Sequence, residues 1–256
     1  MQPLELYIHI PFCVKKCAYC DFLSGPAGEK EKEEYVKMLV DEIRNCPDTV
    51  QNYRVISIFF GGGTPSLLTG EQIGRLMDTV REIFTLDEDA EITMEMNPGT
   101  VTEEKLRKYR QAGVNRLSIG LQSVNDEELR LLGRIHTYEE FLEAYHLARA
   151  NGFANINVDL ISAIPGQTVE SWRRTLEQVM ALFPEHISAY SLIVEEGTPF
   201  AAMAERGELP LPEEETERAM YEETIEVLAK YGFHRYEISN YARDGYECRH
   251  NVGYWI

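Results

Sequence analysis

The sequence predicts an α/β fold built on a parallel sheet. Short apolar segments alternate with longer amphipathic segments almost from end to end, and a βα unit repeated about six times is typical of parallel strands joined by helices. The strand segments also read as near-continuous apolar runs, as expected when helices cover a parallel sheet. These patterns leave two architectures open: an open doubly wound sheet, and a full or partial barrel.

Six strands and six helices are predicted in alternation. The predicted strands are Leu6–Ile10, Val55–Phe60, Glu91–Met96, Arg116–Gln122, Asn155–Ile161 and Ile187–Val194. The predicted helices are Glu29–Asn45, Glu71–Phe84, Glu103–Ala112, Tyr138–Asn151, Val169–Leu182 and Glu213–Tyr231. Thr69 and Thr102 are expected to cap the amino ends of the second and third helices, and Gly113, Gly152 and Gly232 the carboxyl ends of three helices.

The composition argues against several classes of protein. The chain has 256 residues and a formal net charge of −18, a field that repels nucleic acids and anionic membranes. It contains no apolar stretch long enough to span a membrane and does not start like a signal peptide. Five cysteines, three of them clustered, suit metal binding in a reducing compartment. We therefore expect a cytoplasmic protein without a nucleic-acid partner.

Three cysteines near the start of the chain have the spacing C-x3-C-x2-C. Cys13, Cys17 and Cys20 follow the first predicted strand. Three thiolates on one loop can bind three irons of a cubic cluster and leave the fourth iron open to a small molecule. The rival is a zinc site, but structural zinc normally takes four ligands in separated pairs, and no fourth Cys or His follows nearby. The motif therefore favours an iron–sulfur cluster.

Polar and glycine-rich segments follow several predicted strands. Residues 61–65 (GGGTP) come after the second strand, residues 97–99 (NPG) after the third, and Gln122 closes the fourth. The carboxyl ends of parallel strands meet on one side of the fold, so we expect these segments and the cysteine loop to form one site. The glycine run matches neither a Walker A loop nor a dinucleotide fingerprint, and its plainer interpretation is a strand-to-helix turn.

Two acidic residues, Glu95 and Asp159, lie inside predicted strands. A buried carboxylate is costly unless it is paired or hydrogen-bonded. Each can point into a barrel toward a polar ligand, or each can form a structural ion pair, for example with Arg116 or Arg134.

The last segment departs from the βα pattern. Residues 234–243 are predicted to be extended and residues 244–245 to form a turn, and the block CRHNVGYW follows at residues 248–255. A His or Cys can bind haem iron, and two aromatics can stack on a flat ring, but buried aromatics with a hydrogen-bonded histidine are the plainer explanation. We predict a core domain over residues 1–231 and, over residues 232–256, the start of an incomplete C-terminal region in a truncated chain.

The cysteine motif resembles the signature of the radical S-adenosylmethionine (SAM) superfamily, in which an aromatic residue, here Tyr19, precedes the last cysteine. The resemblance implies a [4Fe–4S] cluster on Cys13, Cys17 and Cys20, with SAM chelating its open iron. It also implies a partial (β/α)6 barrel with parallel strands.

Four blocks, residues 7–13, 61–65, 115–122 and 159–168, more narrowly resemble the oxygen-independent coproporphyrinogen III oxidase family. This resemblance implies which residues line the SAM site, and it assigns no catalytic residue. The implied SAM-site residues are Tyr7, Tyr19, Gly62, Gly63, Thr64, Glu95, Gln122, Arg134 and Asp159.

Two features depart from the oxidase pattern. Phe22 stands where the oxidases have a further cysteine, and the chain begins only twelve residues before Cys13, without the arm that reaches the oxidase active site. Residues 237–242 and the block at residues 250–255 instead resemble the HemW branch, which is regarded as a group of haem chaperones serving respiratory proteins.

The HemW resemblance implies haem as a third cofactor, with His250, Tyr254 and Trp255 as haem contacts and Cys248 as a weaker candidate. It implies haem-acceptor proteins as partners, which this chain could meet at a membrane without spanning it. Two enzymatic alternatives stay open: an oxidase that decarboxylates porphyrinogen propionates in porphyrin biosynthesis, and a radical SAM enzyme that modifies haem itself.

Overall fold

A single curved sheet of eight strands organises the computed structural model, which describes residues 1–255. Six parallel strands lie side by side in chain order: β1 (Gln2–Ile10), β2 (Tyr53–Gly62), β3 (Thr85–Met96), β4 (Arg116–Gln122), β5 (Asn155–Ser162) and β6 (His186–Ser191). Two short strands, β7 (His234–Arg235) and β8 (Asn240–Ala242), extend the sheet antiparallel, with β8 beside β6. The predicted extended segment 234–243 is therefore an antiparallel pair of strands rather than one piece.

All six predicted helices are present, within two residues of their predicted ends. The helices are α1 (Glu29–Arg44), α2 (Gly70–Ile83), α3 (Glu103–Ala112), α4 (Asp126–Leu132), α5 (Tyr138–Ala150), α6 (Val169–Met180), α7 (Pro199–Glu205), α8 (Glu214–Lys230) and α9 (Arg249–Gly253). The sequence did not predict α4, α7 and α9, which have five to seven residues each and are too short to show a clear helical period.

The predicted helix caps are confirmed. The side chain of Thr69 accepts a hydrogen bond from the backbone of Gln72, and that of Thr102 accepts one from Lys105. Gly113 adopts a φ of 105°, in the left-handed region that favours glycine after a helix.

The two faces of the parallel sheet have opposite character. In β4, Leu117, Ile119 and Leu121 are buried in the hydrophobic core beneath the helices, whereas Ser118 and Gln122 line an interior cavity. The expectation of near-continuous apolar strands is therefore wrong for this strand. Helices cover only the outer face, and the inner face surrounds a polar interior.

One cavity shows that the sheet is strongly curved. Its walls include the loop after β1 and residues from each of β2 to β6. Neighbouring strands lie about 4.8 Å apart, so in a flat sheet the first and sixth strands would be roughly 24 Å apart and could not share one cavity. The strand order stays linear from β1 to β7 within the described residues, so the sheet forms a partial barrel, as the resemblance implied.

The C-terminal segment packs against a row of polar residues inside the barrel. Glu5, Ser57 and Glu91 are neighbours on β1, β2 and β3. Ser57 contacts His250, and the thiol of Cys248 contacts Glu91. These residues therefore pack onto the barrel itself, while the predicted domain boundary at residue 231 stays a prediction. Among residues 1–255, none of the helices could cross a membrane.

Candidate functional site

Backbone hydrogen bonds hold the cysteine loop at its base. The backbone N–H of Cys13 donates to the carbonyl of Gly25 (2.9 Å), and that of Gly25 donates to the carbonyl of Pro11 (3.0 Å). Two of the unpredicted helices hold its centre. The N–H of Ala18 donates to Leu132, the last residue of α4, and the N–H of Phe200 in α7 donates to the carbonyl of Ala18.

The three cysteine side chains are partly exposed and border the same cavity. The hydroxyl of Thr64 donates to Cys13 Sγ (3.5 Å), and the guanidinium of Arg134 donates to Cys17 Sγ (3.7 Å). Such donors stabilise thiolate charge, which metal binding requires. Burial raises the pKa of Cys20.

The glycine run after β2 locks against the cysteine loop. The N–H of Gly63 donates to Ile10 (2.9 Å) and that of Thr64 to Phe12 (2.7 Å). A Cβ added to Gly63 would lie 2.7 Å from the Phe12 carbonyl oxygen and 2.9 Å from that of Ile10. Glycine is needed here because two backbones approach closely, so the run does more than connect a strand to a helix.

Glu95 and Asp159 both face the cavity with partly buried side chains. Glu95 accepts a hydrogen bond from the backbone of Gly62 (3.0 Å), and burial together with the charge of Asp159 raises its pKa to about 8. Asp159 accepts from Asn157 (2.7 Å) and Ser118 (3.1 Å), while burial raises its pKa. Both residues are thus placed for a polar ligand.

The ion-pair alternative does not describe this acidic pair. Arg134 donates instead to the Gly120 carbonyl (2.7 Å) and to Cys17, and the guanidinium of Arg116 donates to Thr93 (3.5 Å). The charge of Arg116 nevertheless lowers the pKa of Asp159 against the larger effect of burial.

The cavity has a volume of about 390 Å³ and brings most of the predicted residues together. All three cysteines line it. So do eight of the nine predicted SAM-site residues: Tyr19, Gly62, Gly63, Thr64, Glu95, Gln122, Arg134 and Asp159. Tyr7 does not belong to this lining. It is 48% exposed, and its ring stacks on Phe59 at 5.9 Å between centroids.

The sequence did not predict several residues of the lining. Ser118 and Tyr190 face the cavity from β4 and β6, and burial with the charge of Asp159 raises the pKa of Tyr190 to about 12. The alternation of polar and apolar residues within β4 was the signal that could have found Ser118. Lys15 and Lys16, between two of the cysteines, add basic side chains at the same cavity.

The residues predicted to contact haem have contrasting environments. His250 is 4% exposed; Ser57 lies 3.1 Å from its Nδ1 atom, and Tyr254 lies 3.5 Å from its Nε2 atom. Its ring stacks on Phe59 at 5.2 Å between centroids. Tyr254 and Trp255 are 72% and 63% exposed, whereas Cys248 is fully buried. The contact of His250 with haem therefore stays a prediction. His250 itself lies in the interior of the protein.

The donors around the cysteines suit an iron–sulfur cluster. The three cysteine side chains border one cavity, and in a cubic cluster each thiolate binds a different iron. Arg134 also offers the cavity a hydrogen-bond donor. Its Nε atom is buried there without a hydrogen-bond partner in the described residues.

Comparison with known proteins identifies a superfamily and several proteins that this chain resembles in sequence. The pattern of the Radical SAM superfamily matches residues 7–179. The heme chaperone HemW of Escherichia coli (strain K12) is 43% identical over 258 residues, covering 100% of this chain and 67% of that protein. HemW of Bacillus subtilis (strain 168) is 40% identical, covering 97% and 66%. The chain thus spans about two thirds of the length of these relatives.

A solved structure supports the same architecture. Coproporphyrinogen III oxidase (HemN) from Escherichia coli, described as a radical SAM enzyme, superposes with a TM-score of 0.85 at 33% identity. The match covers 96% of this chain and 57% of that one.

Proposed function

The chain belongs to the radical SAM superfamily and, within it, to the HemW family, and from this premise we propose that it serves as a haem chaperone. It binds haem, transfers it to acceptor proteins, and carries a [4Fe–4S] cluster with exchangeable SAM. The observation that carries the proposal is the 43% identity to a heme chaperone along the whole chain. The proposal also includes the cytoplasmic location expected from the cysteine content.

The cavity residues supply the means to hold these groups. Cys13, Cys17 and Cys20 would hold the cluster, and the eight predicted SAM-site residues that line the cavity would hold SAM. When bound, the cluster supplies one-electron redox chemistry and an open iron. Thr64 and Arg134 donate to two of the sulfurs, and Glu95 and Asp159 favour a cationic ligand such as a sulfonium or ammonium group.

The haem contacts form the second half of the proposal. Tyr254 and Trp255 offer exposed aromatic surface for a flat apolar ring. His250 lies beneath Tyr254, so direct binding of haem iron by His250 would require the C-terminal segment to open.

A haem titration followed by the Soret band tests the chaperone proposal. We expect the protein to bind haem and Trp255→Ala to weaken binding, roughly two- to tenfold, because a stacked aromatic pair contributes about 0.5–1.5 kcal/mol. Tyr231→Ala, which removes another exposed aromatic at the end of α8, should leave binding unchanged. His250→Ala should alter the Soret spectrum if His250 binds iron. Failure of the wild-type protein to bind haem would overturn the proposal.

An anaerobic assay separates the chaperone from the oxidase. Phe22 occupies the position where the oxidase family has a further cysteine, so we expect no conversion of coproporphyrinogen III to protoporphyrinogen IX by the reduced, SAM-loaded protein. Conversion would replace the chaperone proposal with the oxidase, and SAM-dependent change of the haem ring would replace it with a haem-modifying enzyme.

A further inference from the structure

A continuous chain of hydrogen bonds joins the C-terminal block to the cavity. Asn251 Nδ2 lies 3.4 Å from Tyr236 Oη, which lies 2.7 Å from His186 Nε2. His186 Nδ1 lies 2.6 Å from Asn157 Oδ1, and Asn157 Nδ2 lies 2.7 Å from Asp159 Oδ1. Four contacts thus connect Asn251 with a carboxylate of the cavity wall.

The donor and acceptor groups of these residues give the chain of hydrogen bonds one direction. An ionised Asp159 only accepts hydrogen bonds, so the amide nitrogen of Asn157 faces it and the amide oxygen of Asn157 faces His186. His186 must then carry its proton on Nδ1, which leaves Nε2 to accept from the hydroxyl of Tyr236. That hydroxyl oxygen in turn accepts from Asn251. Every donor therefore points toward Asp159.

Because these hydrogen bonds lie in the protein interior, their shared direction affects the strength of the bond to Asp159. His186 is fully buried, and burial together with the charge of Arg116 lowers its pKa well below the usual range, so the imidazole stays neutral. Hydrogen bonds in such an interior polarise one another, and a chain of aligned donors strengthens the last bond. That last bond is the one that Asp159 receives.

Asp159 is held by groups from three neighbouring strands. Ser118 and Arg116 face it from β4, Asn157 from β5, and Ser188 and Tyr190 from β6. The Glu95 carboxylate on β3 also faces it. Burial opposes ionisation of Asp159, and the donors and Arg116 favour it.

We propose that Asn251 and Tyr236 are positioning residues of the cofactor cavity: through His186 and Asn157 they keep Asp159 ionised and oriented for a cationic ligand. Asn251 belongs to the block at residues 250–255, so this block acts on the cavity as well as on the exposed surface around Trp255. The inference rests on the proposed binding of SAM in the cavity.

The first test needs no cofactor. In the cluster-free chain, the Asp159 carboxyl is titrated by NMR, with Asp159→Asn to identify its signal. Tyr236→Phe removes a single hydroxyl, and Asn251→Leu removes the first donor. Both should move the Asp159 titration to higher pH, because the last donor is weakened. Tyr246→Phe, which removes the hydroxyl of a more exposed tyrosine, should not. An unchanged titration in Tyr236→Phe would overturn the proposal, whether or not Asn251→Leu folds.

The second test measures SAM binding by calorimetry on the anaerobically reconstituted protein. We expect roughly tenfold weaker binding in Tyr236→Phe, as is usual when an outer hydrogen-bond partner of a binding site is lost, and loss of affinity on acidification at a higher pH than in the wild type. A shifted titration with unchanged SAM affinity would overturn the positioning role. A wild type that binds no SAM would instead overturn the proposed function, and the Asp159 titration would still decide whether the chain of hydrogen bonds acts on Asp159.

Discussion

At the scale of single residues, Glu95 shows how the interior sets the chemistry of the cavity. Its carboxylate lies in the cavity wall, close to a second carboxylate, and has one backbone donor from Gly62. Burial and the charge of Asp159 raise its pKa to about 8, so Glu95 is largely protonated at neutral pH until a cationic ligand favours its charged form. Two neighbouring acids of this kind allow the cavity to gain negative charge as a cation binds.

The raised pKa of Glu95 predicts a pH-dependent stability. The folded chain keeps a proton on Glu95 that the unfolded chain releases above a pKa of 4.5, so this stabilising effect is full below that pH and is lost as the pH rises through about 8. The wild-type free energy of unfolding should therefore fall relative to that of Glu95→Gln between about pH 5 and about pH 8, on the order of a few kcal/mol.

Urea unfolding of the cluster-free protein at both pH values measures this difference. The exposed Glu103→Gln provides the matched control, which should follow the wild type. Parallel pH profiles for the wild type and Glu95→Gln would contradict the prediction.

At the scale of elements, the site depends on two loops that hold each other. The glycine run after β2 donates backbone hydrogen bonds to the cysteine loop, and α4 and α7 hold that loop from the other side. None of these contacts involves a cysteine side chain, so the loop is anchored independently of any bound metal. This arrangement limits how far the three thiols can move before a cluster is assembled.

Gly63→Ala tests the contact between the two loops. The added Cβ would lie within 3 Å of the backbone at Ile10 and Phe12, so we expect a loss of about 1–3 kcal/mol in unfolding free energy and reduced iron content after reconstitution. Gly74→Ala in α2 is the matched control, because its Cβ would meet nothing within 4 Å and alanine favours a helix. Equal iron content in Gly63→Ala and the wild type would contradict the prediction.

At the scale of the whole molecule, residues 248–253 complete the barrel interior. Cys248, His250 and Gly253 lie against Glu91, Ser57 and Glu5, one row of polar residues on three strands. The contact between Ser57 and His250 joins positions 193 residues apart. The block therefore contributes to the barrel interior as well as to the surface proposed for haem.

Gly253→Ala tests this closure. An added Cβ would overlap the Glu5 carboxylate, so we expect this flexible side chain to move away from His250 and the amide hydrogens of the C-terminal segment to exchange faster. Burial lowers the pKa of His250, and loosening should raise it toward its usual value. NMR titration of His250 measures this change, with Gly74→Ala as the control. An unchanged titration and unchanged exchange would show that the segment tolerates the methyl group.

The sequence by itself determined the parallel α/β class, the presence of six parallel strands, the ends of six helices within two residues, and the cysteine motif, while β3 begins six residues before its predicted start. These are local signals: hydrophobic periodicity, helix caps and the spacing of ligands on one loop. Eight of the nine residues that the family resemblance predicts for the SAM site line the cavity; Tyr7, the ninth, lies outside that lining, and its ring stacks on Phe59.

Only the tertiary structure decided the burial of His250, the anchoring of the cysteine loop by α4 and α7, and the chain of hydrogen bonds from Asn251 to Asp159. Each depends on contacts between segments far apart in the sequence, such as Ser57 with His250 or Asn157 with His186. The physical reason is that periodicity and spacing report on neighbours along the chain. The curvature of the sheet determines which distant polar groups share one interior.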